Sequence, residues 1–154
     1  MTTDGVQWQW ARFAELRPDE LYAALQLREA VFIVEQNCVY HDADGRDSEA
    51  WHLLGWLGDK TERRLVAYAR VFPPGVRYVE GSIGRVATAR QVRGRGFGKA
   101  LMAEALRRLE TLAPRQPVKL AAQRYLEDFY SSFGFRTVSA PYEEDGIIHV
   151  DMIR

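Results

Sequence analysis

Alternation of side chains between two faces marks several short strands along the chain. It is clearest over residues 64–72, where Leu65 and Val71 fall on the same face, as the two-residue period of a strand requires. Similar patterns predict further strands at residues 8–13, 51–57, 78–88, 118–122, 135–140 and 147–153. The turn residues at 73–75 favour a hairpin between the strands at 64–72 and 78–88.

Apolar residues three and four positions apart mark the helices. A helix, straight or bent into a pair, is predicted to begin at Pro18 and to run to about Glu35, since proline suits a first helical turn. The clearest amphipathic pattern follows a glycine cluster, with apolar side chains at Leu101, Met102, Ala105, Leu106, Leu109 and Leu112. A short helix is predicted over residues 126–133, and Gly134 suits its left-handed end.

The elements follow one another in the order β-α-α-β-β-β-α-β-α-β-β, which predicts a mixed α/β fold with helices packed on a central sheet. The 154 residues match one ordinary domain, and 47% of them are apolar, which suffices for a core. No linker, low-complexity tract or repeat interrupts the pattern. Residues 1–154 are therefore predicted to form a single domain.

The composition argues against several classes of function. The 21 basic and 21 acidic residues cancel, whereas a nucleic-acid-binding protein usually has a basic surplus. A single cysteine excludes an internal disulfide, and three histidines without ligand spacing predict no metal site. Residues 1–10 do not resemble a signal peptide, and no apolar stretch approaches the roughly 20 residues that span a bilayer. We therefore expect a soluble, cytoplasmic protein with no membrane partner.

A basic, glycine-rich segment lies between a predicted strand and the amphipathic helix. Its sequence is Arg93, Gly94, Arg95, Gly96, Phe97, Gly98, Lys99. Glycines let the backbone approach a ligand closely, and the free amides of a helix N-terminus attract anions, so the segment predicts a phosphate site. It is not a Walker A loop, because Ala100 stands where Ser or Thr is needed. It is not the dinucleotide fingerprint either, because Lys99 stands where the third glycine is needed.

The spacing of Arg93, Gly96 and Gly98 resembles the R-x-x-G-x-G motif of the GNAT superfamily of acyl-CoA-dependent N-acetyltransferases. A second stretch typical of that family, Phe-Tyr-Ser-Ser-Phe-Gly-Phe, occupies residues 129–135. Segments 27–38, 52–56 and 142–149 are most similar to its ElaA-like branch. The resemblance implies a GNAT-like fold: a central mixed, mostly antiparallel sheet of six to seven strands with about four helices.

The same resemblance implies acetyl-CoA as the acyl donor. It assigns pantetheine to the backbone of Val86, Ala87 and Thr88, and the pyrophosphate to the glycine-rich segment 93–99. Many members carry an asparagine after the fifth strand that touches the cofactor, and in this chain Gln123 is the candidate to replace that contact.

Tyr130, within the second motif, is the predicted general acid. Acyl transfer from a thioester expels a thiolate, which leaves more easily if a proton is supplied, and a tyrosine of pKa about 10 still carries its proton at neutral pH. The resemblance implies the same role. The alternative is that the Tyr130 ring only packs among Phe129, Phe133 and Phe135.

The base that deprotonates the acceptor amine stays open at this stage. The candidates are Glu35, His52, Glu80, Glu144 and His149. Each has a structural alternative; Glu35, for instance, could pair with Arg28. Arg28, Arg85, Glu143 and His149 are candidate substrate-binding residues, and Cys38 is more typical of a small buried side chain than of a nucleophile.

The predicted function is transfer of an acetyl group from acetyl-CoA to a primary amine of a small molecule or peptide by direct attack. Two alternatives remain: a catalytically silent acyl-CoA-binding or interaction module, and an acyltransferase like the acyl-homoserine-lactone synthases. The predicted partners are acetyl-CoA and an amine, without nucleic acid, for a protein that is a monomer or a homodimer.

Overall fold

All strands of the described chain belong to one sheet. The computed structural model describes residues 3–154, so Met1 and Thr2, the start of the segment tested for a leader, lie outside it. The strands are β1 (Gln7–Arg12), β2 (Trp51–Leu57), β3 (Arg64–Phe72), β4 (Gly81–Thr88), β5 (Val118–Gln123), β6 (Arg136–Thr137), β7 (Tyr142–Glu144) and β8 (Ile147–Ile153). Their order is β1-β2-β3-β4-β5-β8-β6, with β7 paired to β8. The β4–β5 pair is parallel and the other pairs are antiparallel.

Helices cover both faces of this sheet. Helix α1 (Pro18–Arg28) continues into a π-helix (Glu29–Glu35), α2 spans Phe97–Leu112, and α3 spans Glu127–Ser131. The α1 helix begins where the side chain of Glu20 accepts a hydrogen bond from the backbone N–H of Arg17 at 2.9 Å. No helix within residues 3–154 is long and apolar enough to cross a membrane.

The alternation of β3 explains why two layers of helices can pack on the sheet. Ala67 and Ala69 face the core formed with α2, whereas Tyr68 faces the smaller core formed with α1 and the π-helix. The apolar stripe predicted for α2 supplies Leu101, Met102, Ala105, Leu106 and Leu109 to the larger core.

The predicted mixed, mostly antiparallel fold is confirmed, with differences at the ends of elements. The sheet of the described chain has eight strands rather than six to seven, because the predicted strand at 135–140 is reduced to Arg136–Thr137 and a separate strand forms at Tyr142–Glu144. Asp145 and Gly146 connect β7 to β8 with φ of 52° and 80°, as a tight hairpin turn requires. The loop at 73–80 is longer than a tight hairpin, so β4 begins at Gly81 rather than at residue 78.

The sheet opens between β4 and β5. These strands pair only at Gly81 with Val118 and at Ser82 with Lys119. Beyond that point β5 keeps its partner β8 on the other side, while the register of β4 against β3 becomes irregular between Tyr68 and Arg70. The remaining length of β4 therefore faces a gap.

Candidate active site

The gap between β4 and β5 is part of a cleft with a volume of about 1140 Å³. Its walls come from the π-helix, the loop before α2, the start of α3 and the β7–β8 turn. The three residues predicted to meet pantetheine, Val86, Ala87 and Thr88, lie on the β4 wall. Their backbone is free on the β5 side, which suits an extended ligand that carries amide groups.

The glycine-rich loop forms one end of the cleft. Gly94 and Gly96 have φ of 77° and 85°, in the left-handed region where a side chain would be strained. The first hydrogen bond of α2 runs from the N–H of Ala100 to the carbonyl of Gly96 at 3.1 Å, so the amides just before Ala100 have no partner within the helix. Phe97, only 2% exposed, anchors the loop in a small core with Val66 and Val92.

Side chains of this loop divide between the cleft and the surface. Arg93, Gly94, Gly96, Phe97 and Gly98 line the cleft, whereas Arg95 and Lys99 are exposed beside it. A Cβ added at Gly98 would lie 3.6 Å from the ring of Phe129, so this position brings the backbone close to α3. The loop therefore presents both free amides and flanking positive charge, the two features that bind phosphate groups.

Arg93 connects the loop to the π-helix. Its two terminal nitrogens bond the carboxylate of Glu35, with Nη2 at 2.7 Å from Oε2, and Nη2 also donates to the carbonyl of Thr88 at 3.0 Å. The bonds from Arg93 lower the pKa of Glu35 below its ordinary value. Glu35 thus pairs with Arg93 and not with Arg28, and as a stabilised carboxylate it is a poor proton acceptor.

A second bridge joins Gln36, the residue that follows the π-helix, to β5. The side-chain amides of Gln36 and Gln123 exchange two hydrogen bonds, at 3.1 and 3.2 Å. Both side chains line the cleft. Gln123 therefore stands at the cleft as the sequence predicted, but Gln36 was missed because a glutamine at a helix end carries no sequence signal of its own.

Tyr130 lies on α3 with its side chain at the cleft. The residue is 7% exposed, and its ring makes edge contacts with Phe129 and Phe135 at centroid distances of 5.1 and 6.3 Å. The ring of Tyr130 therefore packs as one interpretation expected, and the residue also lines the cleft, where the predicted acid role requires it. Burial raises the pKa of Tyr130, so the hydroxyl keeps its proton at neutral pH.

Arg28 and His52 lie outside the cleft, although the sequence made both of them site candidates. Arg28 is fully buried, and its guanidinium bonds Asp42 at 2.9 Å and Asp47 at 2.8 Å. His52 is also fully buried, with Nδ1 2.7 Å from the hydroxyl of Tyr68 and Nε2 2.8 Å from the carbonyl of Asp47. Burial lowers the pKa of His52, so its ring is a neutral structural element.

Ion pairs form a further wall of the cleft. Arg70 bonds Asp44 at 2.8 Å and Asp47 at 2.9 Å. Burial alone would raise the pKa of Asp44, but the hydrogen bonds and charge of Arg70 outweigh it and hold this pKa well below its ordinary value. Arg70 is separated from these acids by more than 20 residues, so the sequence gave no reason to connect them.

Arg85 joins the same wall, from the irregular part of β4. It adopts a φ of 50°, and together with Val86 it stands opposite Ala69 of β3 as a bulge. Its Nε lies 2.9 Å from Oδ1 of Asp42, a charge contact in which the N–H is not aimed at the oxygen. Its guanidinium also lies 5.4 Å from the ring centre of Tyr40. Arg85, a candidate substrate-binding residue, thus lines the cleft and also pairs with an acidic side chain.

The β7–β8 hairpin forms the last wall. Glu144 and His149 line the cleft, whereas Glu143 and Glu80 do not. The ring of His149 stacks on Tyr142 at 6.0 Å, and its Nδ1 lies 2.8 Å from the carbonyl of Ile147. Buried Cys38 ties this hairpin to the loop after the π-helix, because its S–H lies 3.1 Å from the carbonyl of Asp145.

Known proteins are similar to this chain in sequence and in fold. A family model described as an acetyltransferase (GNAT) domain matches residues 58–154. Escherichia coli ElaA is 45% identical over 151 residues, which cover 97% of this chain and 96% of ElaA. The crystal structure of E. coli ElaA has a TM-score of 0.87 at 44% identity, covering 97% of this chain and 99% of that one.

A crystal structure of an acyl-CoA N-acyltransferase from Pseudomonas aeruginosa is similar to the same extent. Its TM-score is 0.89 at 40% identity, covering 97% of this chain and 99% of that one. The CoA-dependent acyl-homoserine lactone synthase BjaI has a TM-score of 0.74 at 14% identity, covering 97% of this chain and 82% of that one. At that identity the likeness concerns the fold alone.

Proposed function

Because the chain belongs to the GNAT acetyltransferase family, in its ElaA-like branch, we propose that it transfers the acetyl group of acetyl-CoA to a primary amine of a small molecule or peptide. The observation that carries this proposal is the gap between β4 and β5, which leads from the glycine-rich loop to the buried side chain of Tyr130. A phosphate site, an unpaired strand edge and a protonated hydroxyl are the three features that a thioester donor needs in one cleft.

In this proposal the backbone holds the donor. The free edge of β4 at Val86, Ala87 and Thr88 pairs with the amides of the pantetheine arm. The amides of residues 94–99 bind the pyrophosphate, and the side chains of Arg95 and Lys99 add charge from outside the cleft. Gln123 contacts the arm from β5, after its bond to Gln36 has opened or shifted.

The chemistry needs one proton acceptor and one proton donor. The amine nitrogen attacks the thioester carbonyl directly, the C–N bond forms, and the C–S bond breaks. Tyr130 donates its hydroxyl proton to the departing sulfur. No covalent acyl-enzyme is required, which agrees with the burial of Cys38.

The other parts of the sequence interpretation belong to the same proposal. Residues 1–154 act as one domain, as a monomer or a homodimer in the cytoplasm, without a nucleic-acid or membrane partner. The second candidate, a silent acyl-CoA-binding module, retains the phosphate loop but has no use for a buried tyrosine on the cleft wall.

Two measurements test the proposal. Acetyl-CoA binds only the folded protein, so it should raise Tm in a dose-dependent way, and a screen of primary amines should reveal release of free CoA thiol. Gly96→Val should abolish the Tm shift, because a β-branched residue is strained at a φ of 85°. Gly75→Val is the matched control, since Gly75 has a φ of 83° and lies outside the cleft; it should lower Tm but keep the shift.

Each outcome has a distinct meaning. A Tm shift with thiol release from some amine supports the enzyme. A Tm shift without thiol release from any amine in a broad library supports the silent module. No Tm shift at millimolar acetyl-CoA would overturn the proposed donor.

A further inference from the structure

The position of one hydrogen on His149 follows from its hydrogen bond. Nδ1 lies 2.8 Å from the carbonyl oxygen of Ile147. A carbonyl oxygen only accepts hydrogen bonds, so Nδ1 carries the hydrogen and, in the neutral ring, Nε2 carries the lone pair. The stacked ring of Tyr142 fixes the orientation of the imidazole ring of His149.

We propose that His149 is the general base that deprotonates the acceptor amine, through Nε2. This inference rests on the proposed acetyl transfer and adds to it the residue that the sequence left open. His149 lies on the cleft wall in β8, directly opposite Gln123 in β5. The base and Tyr130 therefore line the same cleft from two different elements.

The other candidate bases are excluded by their contacts or are weaker. Glu35 is bonded to Arg93, both nitrogens of His52 are occupied away from the cleft, and Glu80 does not line it. Glu144 does line the cleft, but it is an exposed carboxylate. A carboxylate is in general a much weaker proton acceptor than an imidazole, because a carboxylic acid is a stronger acid than an imidazolium ion.

The groups around His149 leave Nε2 available. Tyr142 directs its hydroxyl to Asp151 at 2.6 Å, and Asp151 also lies 3.9 Å from the ammonium of Lys119. Gln123, the register partner in β5, is bonded to Gln36. The remaining charged groups on this wall are the carboxylates of Glu144 and Asp145, which favour an approaching ammonium group.

His149 and Tyr130 together account for every proton that moves in the reaction. The acceptor arrives as an ammonium ion, and His149 takes one proton from it. The free amine forms the C–N bond, the C–S bond breaks, and Tyr130 protonates the sulfur. The second nitrogen proton returns to Tyr130, directly or through solvent, and His149 releases its proton to water. The sum is ammonium plus thioester giving amide, thiol and one proton.

The tautomer is tested first, because that test needs no acceptor. The chain has three histidines, so long-range proton–nitrogen correlation spectra of the labelled protein, with His149→Gln to assign the signals, resolve each ring. We expect neutral His149 to carry its hydrogen on Nδ1. A hydrogen on Nε2 of the neutral ring would overturn the proposal, whatever the enzyme assays show.

The kinetic test compares two amines. At neutral pH n-butylamine is almost fully protonated and needs a base, whereas trifluoroethylamine is mostly unprotonated and does not. We expect His149→Gln to lower kcat/KM by about 10²-fold or more for n-butylamine, and by less than about tenfold for trifluoroethylamine. His41→Gln, which changes an exposed histidine that also lines the cleft, should leave the ratio between the two amines unaltered.

An equal loss for both amines would show a structural role and overturn the assignment. If the wild-type protein releases no thiol with either amine, that result counts against acetylation of simple alkylamines. In that case a hydrogen on Nε2 of the neutral ring would still overturn the assignment of His149.

Discussion

Replacing Tyr130 with phenylalanine separates the two roles that its environment allows. The change removes one hydroxyl and keeps the ring contacts to Phe129 and Phe135. The free energy of unfolding should therefore change by less than about 1 kcal/mol, as is usual when no buried partner is left unpaired. The affinity for acetyl-CoA should also be kept, because the backbone of β4 and of the glycine-rich loop provides it.

Turnover should respond quite differently. With ordinary pKa values of about 10 and about 8.5, full proton transfer from tyrosine to a free thiolate is uphill by roughly 2 kcal/mol. The hydroxyl therefore assists by donating its proton while the C–S bond breaks and charge develops on the sulfur. Burial of Tyr130 raises its pKa, which keeps the hydroxyl protonated until the thiolate forms. Loss of a general acid costs about 10²-fold or more, close to 2.7 kcal/mol in the barrier, and the loss should fall on kcat.

Tyr68→Phe gives the opposite pattern and is the matched control. Tyr68 is fully buried outside the cleft, and its hydroxyl bonds Nδ1 of His52 at 2.7 Å. Its removal leaves a buried nitrogen unpaired, so stability should fall by about 1–3 kcal/mol while turnover holds. Stopped-flow thiol release and urea unfolding measure both effects. Unchanged kcat in Tyr130→Phe, with an amine that the wild type acetylates, would refute the acid role.

Three other predictions follow from contacts away from Tyr130. Gly84→Val should leave Tm almost unchanged, because a Cβ at this cleft residue meets nothing within 4 Å. It should abolish turnover, because the new side chain would occupy the space of the substrate, and retained turnover would contradict this prediction. Arg28→Met should lower stability by about 3–5 kcal/mol and Tm by roughly 10 °C, since Asp42 and Asp47 lose a buried partner; an unchanged melting curve would contradict it. Stability should decline as pH falls below about 6.5, because burial lowers the pKa of His52 and the unfolded chain takes up that proton first. A free energy of unfolding in urea that is constant between about pH 7 and pH 5 would contradict this prediction.

Elements with local signals were predictable from the sequence. The amphipathic stripe of α2, the strand at 64–72 and the left-handed Gly134, with a φ of 89°, are all present. Each depends on residues close together in the chain, so periodicity and glycine placement suffice. The glycine-rich loop and the second motif likewise identified the family.

Contacts between distant segments were not predictable. The bond from Arg93 to Glu35 spans 58 positions, and the bond between Gln36 and Gln123 spans 87. Neither pair has a spacing that periodicity can detect, so the sequence could not tell that Glu35 was already occupied. For the same reason His52, which alternates correctly within β2, gave no sign that both its nitrogens were satisfied.

The gap between β4 and β5 places two unpaired strand edges inside the protein. Unpaired edges on an outer surface recruit strands from other molecules, which is a common route to aggregation. Here the bonds from Glu35, the last residue of the π-helix, to Arg93 and from Gln36 to Gln123 bridge the cleft, which hinders a flat foreign strand from pairing with the exposed backbone. The fold can thus keep a strand-binding edge permanently open while it admits only a narrow, flexible chain.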